Sequence, residues 1–391
     1  MDMIMLFTYG SLTFEERRIL DRIGDMRNDL RYAVVQEPRR WTGLLARITR
    51  ARALRASNSI EGINVSAEDA MAAGDNEDPA DADKPTWQAV TGYHAAMDYI
   101  LQRCRDSNFK FSTDVVLAVH FMISQHDLKA NPGNYRRGWI GVRNTETNEI
   151  VHEGVDRDLL EPLMDELIDY MNSGTGESLA VKAAMTHLNL TLLHPFSDGN
   201  GRTARCLQTA VLAHEGIQAP AFSSIEEYIG RNQQDYYKVL AEVGGGGWNP
   251  GRDCQPWVRF CITGHYRQAQ TLLRRIKELE RIYADLLAVI EMRGLPERMA
   301  LGLLEAATGL RVRNASYRVT TEVSTNVASR DLKALVDAGL LIPEGERRGR
   351  HYLPSDTVKA ITAKHRLPRG IPDPFLEPPP DIPPPQPSLF S

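Results

Sequence analysis

Apolar residues recur every three or four positions through most of this chain, a spacing that predicts helices rather than strands. Over 14–57 the repeat is carried by Ile19, Ile23 and Met26, then by Leu44, Leu45 and Ile48, among Arg, Ala and Glu. It resumes over 87–104, 113–125, 159–171 and 179–193. The last of these is apolar nearly all round, with Val181, Ala184, Met185, Leu188, Leu190 and Leu192, as expected of a helix enclosed in a core. Another helix is expected from Gly201 to about Glu215, stopped by Gly216, and a long one over 256–292. Between Asn131 and Gly154 the pattern changes. Pro132, Gly133 and Gly138 punctuate it, and Trp139, Ile140, Val142 and then Ile150, Val151 flank a polar stretch, which predicts a small β-hairpin.

The segment 67–84 is acidic and small-residued (Glu68, Asp69, Asp75, Glu77, Asp78, Asp81, Asp83), and reads as a solvated loop or short helix ending before Pro85. Gly294 and Pro296 break the long helix, and a second module begins there. Its helices are expected over 298–307 and 327–338, with Ser324 as N-cap and Gly339 at the C-terminal end, and short strands at 340–342 and 352–353: a winged-helix outline. The region 368–391 holds 10 of the 22 prolines and is expected to be extended or disordered. The whole is expected to be mainly α.

At 391 residues the chain has room for two or three domains. Lys and Arg number 46 against 51 Asp and Glu, a formal charge of −5, so any nucleic-acid contact must be regional. The N-terminus lacks a cationic start or cleavage site, and no run of about 18 apolar residues is present. Cys104, Cys206, Cys254 and Cys261 are scattered, without the C-x-x-C spacing of a metal or redox site. These features lead to the expectation of a soluble, reduced, cytoplasmic protein without a membrane span.

The chemistry concentrates in His194-Pro195-Phe196-Ser197-Asp198-Gly199-Asn200-Gly201-Arg202-Thr203-Ala204-Arg205, a loop running into a helix N-terminus. Free backbone N–H groups and the positive dipole end make such a place an anion site. Gly199 and Gly201 allow close approach of a ligand to the backbone. On a helix, Ala204, Leu207 and Val211 share one face while Arg202, Arg205 and Thr209 share the other, so the two arginines are expected to face outward together. Cations in a first turn oppose the dipole at a cost of about 0.3–1 kcal/mol each, which an anionic ligand such as a polyphosphate would reverse. Asp198 suits Mg²⁺ beside phosphate oxygens, and His194 suits proton removal from an attacking hydroxyl.

This string resembles the Fic-family motif H-x-F-x-[DE]-G-N-G-R-x-x-R at every specified position, and Pro132-Gly133-Asn134-Tyr135-Arg136 is similar to the family's P-G-x-Y-R element. The resemblance implies a helical core that moves AMP from ATP to a Ser, Thr or Tyr hydroxyl of a target protein, releasing pyrophosphate. It implies His194 as general base, Asp198 as the Mg²⁺ ligand, and Gly199, Asn200 and Gly201 as the anion hole. Arg202 would contact the inner phosphates and Arg205 the γ-phosphate. The hairpin 140–151 would be a flap that pairs with the target. Relatives often close that flap with Pro-Pro, whereas here Val151-His152-Glu153-Gly154 occupies the position, with His152 expected at the surface.

Ser57-Asn58-Ser59-Ile60-Glu61-Gly62 is similar to the family's inhibitory pattern [ST]-x-x-x-E-[GN]. Ser57 and Glu61 share a helical face, and Gly62 is a natural C-cap. Glu61 would compete with the γ-phosphate for Arg205, leaving the α-phosphate misaligned. Tyr236-Tyr237 resembles the family's paired tyrosines, and Tyr228, Asn232, Tyr236 and Tyr237 are candidates for the adenine slot, with core packing as the equal alternative. The organisation expected is an N-terminal inhibitory region (1–84), a catalytic core (85–250), a connecting helix (251–294), a winged helix (295–356) and a Pro-rich tail. Arg330, Lys333, Arg347, Arg348 and Arg350 of the winged helix could meet phosphates, but Asp331 and Asp337 offset them, so DNA is not favoured. The competing readings are a nucleotide-sensing DNA-binding regulator and a Fic enzyme that transfers another group or removes AMP. Self-AMPylation and a homodimer are left open.

Overall fold

The computed structural model describes residues 5–31, 41–144, 147–174, 178–214, 216, 224–346, 349–370 and 372–376. An N-terminal group contains helices α1 (Phe14–Arg31), α2 (Thr42–Ile60) and α3 (Ala67–Asp75). A central group contains α4 (Lys84–Arg103), α5 (Thr113–Ser124), a 3-10 turn at Leu128–Ala130, strands β1 (Gly141–Arg143) and β2 (Ile150–Glu153), α6 (Arg157–Asn172), α7 (Leu179–Leu193) and α8 (Asn200–His214). Then come α9 (Glu226–Arg231), α10 (Gln233–Gly244) and the long α11 (Gln255–Met292). The C-terminal module is α12 (Met299–Ala307), α13 (Asn314–Thr321), α14 (Thr325–Asp337), β3 (Leu341–Glu344), β4 (His351–Pro354) and α15 (Asp356–His365). The fold is mainly helical, as expected, with two antiparallel hairpins among the described residues.

The starts of several helices are set by side chains that satisfy their first N–H groups. Ser66 accepts from Asp69 N (3.0 Å), Asp83 from Thr86 N (2.9 Å) with Pro85 just inside the helix, and Ser112 from Val115 N (3.3 Å). α7 lies at the centre and is buried on every side from Ala180 to Leu190, matching its uniform apolarity. It packs along α8, and the two are joined by the short loop that carries the chemistry. Trp257 of α11 donates to Ala184 O of α7 at 2.8 Å, tying the long helix to this centre.

The hairpin pairs Val142 with His152 and carries an irregularity between Val142 and Arg143. Trp139, Ile150 and Val151 are exposed on it. The helix expected to end near Glu215 is α8; Glu215 itself lies outside the described residues, as do Arg347, Arg348 and most of the Pro-rich tail.

The acidic segment begins with the short helix α3, and although Asp78, Asp81 and Asp83 are exposed, most of its carboxylates are engaged rather than simply solvated. Asp69 is buried and accepts from the backbone N–H groups of Ala80, Asp81 and Ala82, the last at 2.9 Å. Asp75 pairs with Arg47, while Glu68 and Asp81 both pair with Arg311. Glu77 pairs with Arg318 at 3.0 Å, and Arg313 donates to Asp78 O. This segment therefore supplies acceptors for three arginines of the C-terminal module, contacts that no local pattern reveals. Asp331 likewise points inward, held by Arg298 (2.7 and 2.8 Å) and by the Tyr317 hydroxyl (3.0 Å).

Candidate active site

α7 ends at Leu193, and His194 takes a left-handed backbone (φ 52°, ψ 58°) with its N–H donating to Leu190 O. The chain then turns through Pro195–Gly199 into α8. Asn200 holds this turn from the inside: Phe196 N donates to its Oδ1 (2.9 Å) and its Nδ2 donates to Phe196 O (2.8 Å). Its side chain is thus committed to the loop, leaving only its backbone N–H for a ligand. The buried Phe196 ring stacks on His120 at 3.7 Å between centroids. Gly199 has φ +82°, and a Cβ there would meet Ser124 Oγ and the His120 ring, so glycine is required on both counts.

His194 Nδ1 lies 3.2 Å from Thr191 O, which makes Nδ1 the protonated nitrogen and leaves Nε2 bare. Burial pushes the imidazole down to about 4, with His152 and Arg136 adding to the fall. It is therefore neutral near pH 7 and able to take a proton. Behind it, Arg136 is buried, and its guanidinium donates to His194 O (2.9 Å), Gly138 O (2.6 Å) and Val155 O. Its own N–H donates to Pro195 O at 2.9 Å.

The outward orientation expected of Arg202 and Arg205 is overturned. Both are buried, at 2% and 1% relative exposure, as is Thr209. α8 is covered on its polar face as well as its apolar one, because α2 lies across it. Arg205 Nε donates to Ser57 Oγ (2.8 Å), and its Nη2 to Ser57 O (3.0 Å) and to Glu61 Oε1 (2.7 Å). Burial alone would lower the Arg205 pKa, but Glu61, with Tyr236 and Tyr93, outweighs it and holds the cation above its ordinary value. The Glu61 carboxylate also sits against the first turn of α8, where a Cβ on Gly201 would collide with its Oε1. Arg202 Nε and Nη1 and Arg205 Nη1 are buried without an acceptor among the described residues. The cover over these guanidinium groups is a polar one, built from Ser57 and Glu61, rather than apolar core.

The Asp198 side chain is 58% exposed, and among the described residues its carboxylate meets only Arg202, at 3.5 Å. Its oxygens are free for a hard cation beside an anion; among the described residues no cluster of three or more His, Cys, Asp or Glu could cage a metal alone. The adenine candidates separate. The buried Tyr236 meets His187 Nε2 at 3.0 Å, and Tyr237 donates to Ile60 O (2.8 Å), next to Gln233 Nε2 (3.1 Å), at the end of α2. Tyr228 and Asn232 instead line a different cleft against α11. His152 is buried, not at the surface, with Nε2 2.8 Å from Leu192 O, and burial lowers its pKa.

Sequence reasoning missed several supporting residues. His120 bridges the loop to the Pro132–Gly133 turn: Gly133 N donates to its Nδ1 (3.0 Å), and its Nε2 faces Asp198 O (3.0 Å). The signal was present, a histidine among Val115, Val116, Val119 and Ile123 on the buried face of α5. Glu226, which bonds Tyr93 and Ser224 under the same roof, had no local signal.

Residues 110–212 match the Fic/DOC family. This segment is a Fic/DOC domain. Alignments with curated relatives run longer than that segment. The protein adenylyltransferase Fic of Nematostella vectensis is 28% identical over 173 residues, covering 44% of this chain and 36% of the relative. Its namesake in Culex quinquefasciatus is 28% identical over 207 residues, 52% of this chain and 37% of the relative. The chain thus spans about a third of the length of these curated relatives. A Fic family protein from Desulfovibrio desulfuricans G20 shares the fold over 89% of this chain and 98% of its own, at TM-score 0.58 and 22% identity. Fic-1 residues 134–508 from C. elegans does so over 67% and 73%, at TM-score 0.54 and 20% identity. Among the described residues no helix is long and apolar enough to cross a membrane, and all four cysteines are buried and free.

Proposed function

We propose that this protein is a Mg²⁺-dependent protein adenylyltransferase held off by its own Glu61. The observation that carries the reading is the seat of that carboxylate: an anion lies against the first turn of α8, bonded to Arg205 at 2.7 Å. A phosphate would use the same donors, since a helix N-terminus and paired guanidinium groups select for negative charge. The unsatisfied Arg202 and Arg205 nitrogens, costly to bury without a partner, support a ligand with more acceptor oxygens than Glu61 supplies.

In the transfer, His194 Nε2 takes the proton of a Ser, Thr or Tyr hydroxyl as its oxygen bonds to the α-phosphorus of ATP. The bond from that phosphorus to the α,β-bridging oxygen breaks, and pyrophosphate leaves. Arg205 would fix the γ-phosphate, and Arg202 with the N–H groups of Gly199, Asn200 and Gly201 the inner phosphates, which orients the α-phosphorus for in-line attack. Asp198 would hold Mg²⁺, whose charge offsets that of the leaving group. The exposed Ile150 and Val151 on the hairpin suit β-addition of a target segment. Tyr236 and Tyr237 remain the base-slot residues of this reading; Tyr228 and Asn232 do not.

The C-terminal module is read as a winged helix serving protein contacts, in a cytoplasmic protein. A DNA-binding regulator is disfavoured by the acidic-segment contacts to Arg311, Arg313 and Arg318, which leave fewer cations for phosphates. The test is incubation of the full chain with each α-labelled nucleoside triphosphate. Label from ATP should rise at least tenfold in Glu61→Gly, a loss of about 1.4 kcal/mol of restraint or more, and vanish in Glu61→Gly/His194→Ala. Labelling equal in wild type and Glu61→Gly would remove the brake, and transfer only from another donor would change the group moved.

A further inference from the structure

A second cationic cleft, of about 410 Å³, opens away from the His194–Arg205 loop, between α2, α9, α11 and the end of α15. Seven arginines line it. Arg52 comes from α2, Arg231 from α9, and Arg267 and the adjacent Arg274 and Arg275 from positions two turns apart on α11. Arg366 and Arg369 lie just beyond α15 and are exposed. Among the described residues only one carboxylate, Glu278, is on the lining; it pairs with Arg274 at 2.7 Å. Behind the wall, Glu227 takes Arg275 in a two-pronged contact (2.5 and 2.8 Å) and Arg231 at 2.5 Å. Arg52 reaches it only at 3.7 Å.

Three of the seven, Arg267, Arg366 and Arg369, make no ion pair among the described residues. The buried Arg267 Nε and Arg274 Nε lack acceptors there as well. Arg267 lies over the Tyr228 ring at 6.0 Å. Crowding shows on Arg52: burial and the neighbouring Arg275 pull it down to about 10. Gln268, Thr271, Thr308 and Thr362 add neutral hydrogen-bonding groups to the same lining.

Guanidinium forks bind phosphate oxygens two at a time, and several around one enclosed space match several phosphates on one molecule. The volume is that of a small-molecule site rather than a track for a nucleic-acid strand. We propose that this cleft is a second anion site that binds a small, multiply phosphorylated molecule. Its occupant would join Arg52, on the helix that carries Ser57 and leads into Glu61, to Arg366 and Arg369 of the C-terminal module. The proposal does not depend on the transfer reaction.

The probe is inorganic tripolyphosphate, titrated calorimetrically into the full-length protein at physiological salt. Three further chains receive the same titration: Arg366→Glu/Arg369→Glu, the milder Arg366→Gln/Arg369→Gln, and Arg205→Ala. The two double variants should bind at least about tenfold more weakly while keeping the wild-type circular dichroism, and Arg205→Ala should keep the wild-type affinity at this site. Tripolyphosphate binding that survives both double variants, or that disappears in Arg205→Ala, overturns the assignment. So does a short single-stranded oligonucleotide that displaces tripolyphosphate. Phosphatidylcholine vesicles carrying phosphatidylinositol bisphosphate separate the remaining source: sedimentation with them that needs Arg366 and Arg369, without binding of tripolyphosphate, would overturn the small-molecule assignment in favour of a lipid headgroup.

Discussion

Imidazole is a base only while unprotonated, and the burial of His194 decides which form it takes near neutral pH. With its pKa pushed down to about 4, the ring stays neutral well below the usual histidine range, the form that the proposed transfer requires. If His194 is the base of the proposed transfer, activity should be lost as pH falls through about 4, not through about 6.5. The kcat/KM profile of Glu61→Gly, which also lacks the carboxylate that raises this pKa, should therefore stay flat from pH 7 to 5; an acid limb centred near 6.5 would contradict it. Arg136 is the second residue with a sharp expectation. Arg136→Lys strips buried carbonyls of their donors at a cost of about 1–3 kcal/mol each, and should lower both kcat and the melting temperature, while ATP binding to the other end of the loop changes little. A normal melting temperature would show that those carbonyls find other donors. The loop chemistry itself was legible because its residues are consecutive. The burial of Arg202 and Arg205 was not, because the covering Ser57 and Glu61 lie 148 and 144 positions from Arg205.

At the scale of elements, α2 is a lever whose free end is fixed by other elements. Gln233 and Tyr237 donate to its final carbonyl at Ile60, and Gly62 (φ +78°) lets the chain turn away. Farther along, Asp69 anchors the acidic segment, its carboxylate gathering three successive backbone N–H groups. Asp69→Ala should destabilise the protein by about 2–4 kcal/mol, since charged acceptors are lost and buried donors are left unpaired, with a matching drop in the denaturation midpoint; a change under about 0.5 kcal/mol would mean that water replaces them. Long amphipathic helices such as α4 and α11, and the uniformly apolar α7, were plain from their periodicity. α13 and α15 were not: α13 buries only Tyr317, and α15 only Val358 and Thr362, too few apolar positions to mark a face.

For the whole molecule, the buried histidines set a common acid limit. His120 is pushed to about 4 and His187 to about 3 by burial, and His265 falls well below its ordinary value. Because their folded pKa values lie below the unfolded one, the unfolded chain binds more protons as pH drops, so stability is lost from about 6.5 downward. Glu226 and Glu305, raised by burial, work in the opposite direction near the carboxylate range. Thermal melts should show a steady fall in midpoint between about pH 6.5 and 4.5, and a flat response would place these rings in contact with water. The helical class was legible in the sequence, whereas the docking of the acidic segment on the C-terminal module was not, since ion pairs such as Arg318 with Glu77 join residues 241 positions apart.

One side chain gives the assembly a further property. Arg136 ties together the carbonyls of Gly138, Val155 and His194, which belong to the two roots of the hairpin and to the loop between α7 and α8. None of the three segments can swing away without releasing the others. In deuterium exchange, the amides flanking these anchors should therefore open with a single shared free energy, as one cooperative unit, and not as a hairpin fraying from a static loop.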